Sequence, residues 1–194
     1  MPMTIFLRIL LITVFLILQT TILSPSRLYG VRIDLILLLT IFFGLYRGEI
    51  QGGLTGFMGG ILEDSVSGSL MGTGTLSKTV VGSLSGFLGT KLYQKNILVQ
   101  LVTSFVLILI HEILYLSLIF FYKMASPLLS AAFKVTAITV LINTLLSPPF
   151  FWGMKRIFGR WQGSHQPSEQ RDRWRRRRRR RISFHTRTKR TRKV

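Results

Sequence analysis

Apolar residues fall along this chain in six runs separated by short polar breaks, and within most runs they occupy every face of a helix. Met3 to Leu23 is long enough to supply the roughly 20 apolar residues that a helix needs to cross a hydrocarbon core. Arg8 lies close enough to its start to reach lipid headgroups. SPSRLYGVR, with Pro25 and Gly30, breaks that helix. Ile33 to Tyr46 is apolar all round but short, and RGE at Arg47 to Glu49 divides it from Ile50 to Leu62, a second short run rich in glycine. Glu63 and Asp64 follow, then the polar segment SVSGSLMGTG. Leu76 to Leu92, Ile97 to Tyr122 and Ala131 to Trp152 complete the series, divided by KLYQKN and KMASP.

The pattern predicts an all-α integral membrane protein, a polytopic helical bundle of six transmembrane helices, two of them short. The short pair can tilt, thin the bilayer or re-enter without crossing, so four spans plus a re-entrant pair is the other count. Both counts are even, which puts the two termini on the same side. The first run continues to Leu23 with no small-x-small cleavage pattern after it, so it reads as a retained span.

Composition agrees: 48% of residues are hydrophobic, 17% are charged and the mean hydropathy is +0.41, too apolar for an ordinary soluble domain. A net charge of +19 resembles a nucleic-acid binder until the charges are located. Residues 155–194 hold 17 of the 26 Lys and Arg against two acids, a net +15, while nine bases and five acids leave the body at +4. The expected division is a transmembrane domain over 1–157 and a disordered, arginine-rich cytoplasmic tail over 158–194. Lys155, Arg156 and Arg160 follow the last span directly, and such segments resist translocation, so both termini are expected in the cytoplasm. Arg47, Lys91 and Lys95 then lie inside and the acid pair outside, whereas Arg27, Arg32, Lys123 and Lys134 count against that orientation. Further on, Arg175, Arg176, Arg177, Arg178, Arg179, Arg180 and Arg181 form one block. With the three residues nearer the membrane they are expected to lie on anionic lipid headgroups, each worth about 1 kcal/mol until crowding saturates the effect. Nucleic acid, on which Trp174 and Phe184 could stack, and acidic proteins are the less favoured partners.

Within the spans, Gly52, Gly56 and Gly60 recur every fourth residue, as do Gly82 and Gly86, so each set lies along one helix face. In lipid, close backbone approach at small residues supplies the contact that drives helix pairing. Packing within the monomer is the favoured use, and a homodimer or partner seam the other. Glu63 and Asp64 have three readings: solvated carboxylates at a helix end, a docking or bundle-internal role, or coupling to a proton or cation. Adjacent helical residues point about 100° apart, which disfavours one shared ligand. Lys78, at the start of the next run, is expected to pair with Asp64 across the hairpin. His111 and Glu112 open HEILY inside a long apolar run, and without a second histidine this is no metalloprotease helix. His111 reads as a buried polar group bonded to a neighbouring helix, with Tyr115 and Asn143 as candidate partners.

Several chemistries are not indicated. There is no cysteine, the histidines at 111, 165 and 185 are scattered, GFMGGILED lacks the Lys-Ser/Thr of a phosphate loop, and no catalytic triad or carboxylate pair has suitable spacing. Neither an enzyme nor a cofactor is expected.

Taken together, RIDLILLLTIFFGLYRGEIQGGLTGFMGGILEDSVSGSLMGTGTLSKTVVGSLSGFLG, from Arg32 to Gly89, and NTLLSPPFFWGMKR, from Asn143 to Arg156, resemble the rod shape-determining protein MreD family. The likeness rests on an acid-led short second span, an RG turn, a glycine-rich third span ending in an acid, LSKTxxG before the fourth, and a closing Asn, Pro and basic pattern that includes Asn143 and Pro148. It covers about residues 3–157, and the arginine tail departs from it. The resemblance implies a non-catalytic bacterial inner-membrane scaffold of the cell elongation machinery. Its implied partners are an MreC-like protein, the transpeptidase and glycosyltransferase of lateral peptidoglycan synthesis and, indirectly, actin-like MreB filaments. The contact surface expected on that basis combines Gly52, Gly56 and Gly60 with the acid pair and Lys78. The family also resembles the substrate-binding subunits of energy-coupling-factor vitamin transporters, which is the alternative function. Short glycine-interrupted segments can line a midplane site, so an enclosed polar and aromatic cavity would favour transport and a filled interior would favour a scaffold.

Overall fold

A computed structural model describes residues 2–21, 32–67, 71–91, 96–123 and 129–158. These form six α-helices, with no strand among the described residues: α1 Pro2–Thr21, α2 Leu35–Arg47, α3 Glu49–Ser67, α4 Thr73–Lys91, α5 Ile97–Lys123 and α6 Leu129–Phe158. Each falls on one of the apolar runs. Two are long and apolar enough to cross a membrane, over Ile97–Phe121 and Lys134–Phe158, while Phe6–Thr21 and Leu35–Arg47 are shorter apolar helices. The six-helix compact unit ends at Trp152. A second unit begins at Gly153, and its described part is the last turns of α6, which carry Lys155 and Arg156. Arg160 and the block Arg175 to Arg181 lie outside the described residues.

At the centre is α2. Every residue from Leu35 to Leu45 is buried, and α1, α3, α4 and α5 pack around it. From α6, Phe151 meets the Phe42 ring with centroids 5.8 Å apart, and Phe150 meets Phe15 of α1 at 5.3 Å. Polar side chains share the interior with this apolar core, and the outer faces are strongly apolar. Thr55, Ser77, Lys78, Ser85, Gln100, Ser104 and Asn143 are inside, whereas the outer faces carry Phe6, Leu10, Ile50, Leu54, Phe57, Leu98 and Phe120. So much exposed apolar surface suits a hydrocarbon surround, with the polar groups bonding between helices.

The most extensively packed helix pair is α3 with α4, and glycine lets the two backbones meet. A Cβ on Gly52 would overlap the Gly82 carbonyl, one on Gly56 the Lys78 carbonyl, one on Gly60 the Thr75 backbone, and one on Gly86 the Glu49 backbone. The glycine faces are therefore used within this chain. Between α2 and α3 the chain turns through Gly48 alone, at φ 96° and ψ 176°, a region that only glycine enters without strain.

Two boundaries differ from the sequence expectation. α3 does not end at Leu62 but continues through Glu63 and Asp64 to Ser67, because other helices neutralise or bond both acids. α6 does not end at Trp152 but continues to Phe158, with Pro148 and Pro149 inside it as the expected run had them. Proline at 148 deprives the Thr144 carbonyl of its helical donor, and the Ser147 hydroxyl donates to that carbonyl instead, at 2.8 Å.

Candidate functional site

A network of buried charges and amides lies where the start of α2 meets four other helices. Asp34 precedes α2 as its N-cap, its Oδ1 accepting from the Leu37 N–H at 2.7 Å. Its Oδ2 is 2.7 Å from the Nζ of Lys78 on α4, and the same ammonium also pairs with Glu63 of α3. Lys78 is thus shared between two carboxylates, with its side chain only 3% exposed. The expected pairing with Asp64 is not formed, because Asp64 is one residue further round α3 and points elsewhere.

Asp64 caps the next helix. Its carboxylate accepts from the backbone N–H of Gly72 (2.9 Å), Gly74 (3.2 Å) and Thr75 (3.0 Å), and from the Thr75 hydroxyl (2.8 Å). These amides open α4, where the first turn has no intrahelical acceptors, and an anion there is favoured by charge-assisted bonding. Neither acid is a loose end: Asp64 is buried and Glu63 half-buried.

Amide side chains close the network. Gln19 of α1 donates to Glu63 Oε1 at 3.1 Å and accepts from the Leu35 N–H at 3.2 Å. Asn143 of α6 accepts from the Asp34 N–H at 2.9 Å and donates to the carbonyls of Arg32 (2.8 Å) and Thr139 (2.9 Å). Arg32 in turn donates to the Tyr115 hydroxyl at 2.8 Å and lies over that ring, its guanidinium carbon 5.5 Å from the centroid. One cluster therefore ties α1, α2, α3, α4 and α6 together. The interhelical role expected for Asn143 is met by Asp34 and Arg32, not by His111.

His111 is buried, but neither ring nitrogen has a hydrogen-bond partner among the described residues, which corrects the expected bonds to Tyr115 and Asn143. It stacks on Tyr115 with centroids 6.0 Å apart and has Glu112 Oε1 at 3.7 Å from Nδ1, beyond hydrogen-bond range. Among the described residues no three His, Asp or Glu side chains gather as a metal site. At the opposite end of α2, Arg8 turns inward instead of reaching out. Its guanidinium bonds to Gln51 of α3 and lies 5.1 Å from the centroid of the Phe43 ring.

Sequence reasoning missed Asp34, Gln19, Arg32 and Gln51. A signal for Asp34 was present, since an acid directly before a short, wholly apolar helix needs both a capping role and a counter-ion. The arrangement can lock five helices in one register.

Comparison with curated proteins and with solved structures gives no match. A family model does match, over residues 2–157, which take in both quoted stretches, α1 to α5 and all of α6 but its last residue, so the chain belongs to the family of the rod shape-determining protein MreD.

Proposed function

We propose that the protein is a non-catalytic membrane scaffold of the bacterial cell elongation machinery, acting in the inner membrane with six spans and both termini in the cytoplasm. The family's part in rod shape determination carries this reading, through the match over residues 2–157. Its partners on that reading are an MreC-like protein and the transpeptidase and glycosyltransferase of lateral peptidoglycan synthesis, with MreB filaments linked indirectly. The tail contributes anionic-lipid contact.

The interior supports a scaffold more than a carrier of small molecules. α2 fills the centre with side chains from Leu35 to Leu45, and the polar groups beside it are largely spent on each other. Because Gly52, Gly56, Gly60, Gly82 and Gly86 are covered within the chain, and Asp64 and Lys78 with them, partners are assigned to the outer helix faces. Depletion in growing cells tests the proposal: rods should round up and be restored by the wild-type chain. Unchanged shape on full depletion would refute it.

A further inference from the structure

His111 and Glu112 place two ionisable groups near the middle of Ile97–Phe121, the part of α5 long and apolar enough to cross a membrane. His111 is 4% exposed, and neither ring nitrogen has a hydrogen-bond partner among the described residues. A neutral imidazole carries one N–H donor and one acceptor, so both are left unmet where water does not compensate. Glu112 has the complementary need. Its side chain is 14% exposed, no Lys or Arg among the described residues lies within ion-pair distance of it, and its Oε1 is 3.7 Å from His111 Nδ1. An ionised carboxylate at that depth requires a cation, and a proton on the neighbouring ring supplies one.

The wider surroundings call for the same charge. Of the helices packed against α5, α4 brings Lys78 and α2 brings Asp34 at its head. Glu63 of α3 shares that lysine, and the charges of Asp34 and Glu63 both interact with His111. On α5 itself Tyr115 stacks on His111, and its hydroxyl accepts from Arg32. Lys134 of α6 is exposed, and Asp64 is engaged by the α4 amides. Asp34, Glu63 and Glu112 therefore face Lys78 and Arg32, three acids to two cations, which leaves one negative charge in excess among these groups.

We propose that His111 is a proton-binding site. The proton passes from water to the ring nitrogen that lacks one, and the resulting imidazolium pairs with Glu112, brings the cluster to neutrality and holds α5 against α2 and α4. A proton held in the folded chain by these acids, and lost to solvent more easily once they separate, stabilises the fold at low pH; that stability falls as pH rises. The site depends on the membrane setting of the proposed function and not on any role in shape.

The test is reversible unfolding of the purified full-length chain in neutral micelles between about pH 5.5 and 8, the range in which imidazole titrates. His165 and His185 of the tail are present throughout, so the comparison is with His111→Gln, whose amide can hydrogen-bond without taking up a proton. In the wild type the folding constant should fall as pH rises, by up to about tenfold per pH unit, the limit for one linked proton. His111→Gln should lose most of that slope and Glu112→Gln part of it. Should His111→Gln fail to fold, nitrogen NMR of the histidine-labelled double variant His165→Gln, His185→Gln reads the His111 ring alone, and imidazolium should appear in the folded chain as pH falls through the same range. A slope equal in the wild type and His111→Gln, a slope of opposite sign, or a ring that stays neutral down to about pH 5.5 would each overturn the proposal, and an unchanged slope in Glu112→Gln would overturn the pairing. A shape defect on depletion that persists alongside such a result would leave the scaffold function standing.

Discussion

Replacing Lys78 by Met removes one ammonium and leaves two carboxylates, Asp34 and Glu63, facing each other with no cation between them. The side chains of the three are 3%, 11% and 20% exposed, so water does little to compensate. Taking one partner from a buried ion pair costs about 3–5 kcal/mol, mostly the penalty of the charge left behind. That is roughly two to three and a half powers of ten in the folding equilibrium. Methionine fills about the same volume, so packing loss stays small and the loss reports on charge. The measurement is reversible unfolding in mixed micelles titrated with a denaturing detergent. Two companions isolate the cause. The triple variant Asp34→Asn, Glu63→Gln, Lys78→Met removes every charge while keeping the cap at position 34, and should recover most of the loss, since an apolar or neutral set often replaces a buried ion pair without cost. Exchanging charges between Lys78 and Asp64 should recover nothing, because Asp64 serves the α4 amides. Lys78→Met within about 1 kcal/mol of the wild type would refute the account of Lys78 as the shared counter-ion.

Four further outcomes follow from the same geometry. Asp64→Ala strips the cap from α4 and should cost about 1–3 kcal/mol, with Asp64→Asn retaining more, as read by unfolding in micelles. Gly56→Ala pushes a methyl into the Lys78 carbonyl and should separate α3 from α4 at a cost of about 1–3 kcal/mol, whereas Gly153→Ala, with nothing within 4 Å of the new carbon, should be neutral or slightly stabilising. Gly48→Ala meets no neighbour yet should still cost about 1–3 kcal/mol, purely from its φ of 96°. Asn143→Ala removes one acceptor and two donors from the network, and should both lower stability and speed amide exchange at Asp34.

The helices were legible because lipid demands long apolar runs, and the glycine spacing was legible because a four-residue period fixes a helix face whatever it packs against. What charges do was far less so. Glu63 and Asp64 look like a helix end when taken alone, and only the arrival of Lys78 and of the α4 amides turns them into interior groups. Asp34 was read as the acid leading a short span, but its counter-ion stands 44 residues away, and no local pattern announces a pairing across that distance. The same holds for Arg8, whose sequence position suits a headgroup contact while its side chain folds inward onto Gln51 and Phe43.

The length of α2 explains why buried ionic groups gather at both of its ends. Thirteen residues make a helix of about 20 Å, against a hydrocarbon core of about 30 Å. A central helix that short cannot carry its own termini out to water, so its first amides and the charge that caps them remain at a depth where lipid offers no partners. Asp34 satisfies the amides, Lys78 satisfies Asp34, and Glu63 then restrains Lys78, which recruits α3, α4 and, through Gln19 and Asn143, α1 and α6. At the other end Arg8 turns inward, bonding to Gln51 of α3 and lying over the Phe43 ring of α2. On this view the short helix is the cause and the ion network its consequence. Lengthening α2 by one turn ahead of Asp34 should therefore weaken the dependence of folding on Lys78, read as a smaller unfolding penalty for Lys78→Met in the lengthened chain. An undiminished penalty would show that the network is required by the packing of the other helices and not by the depth of α2.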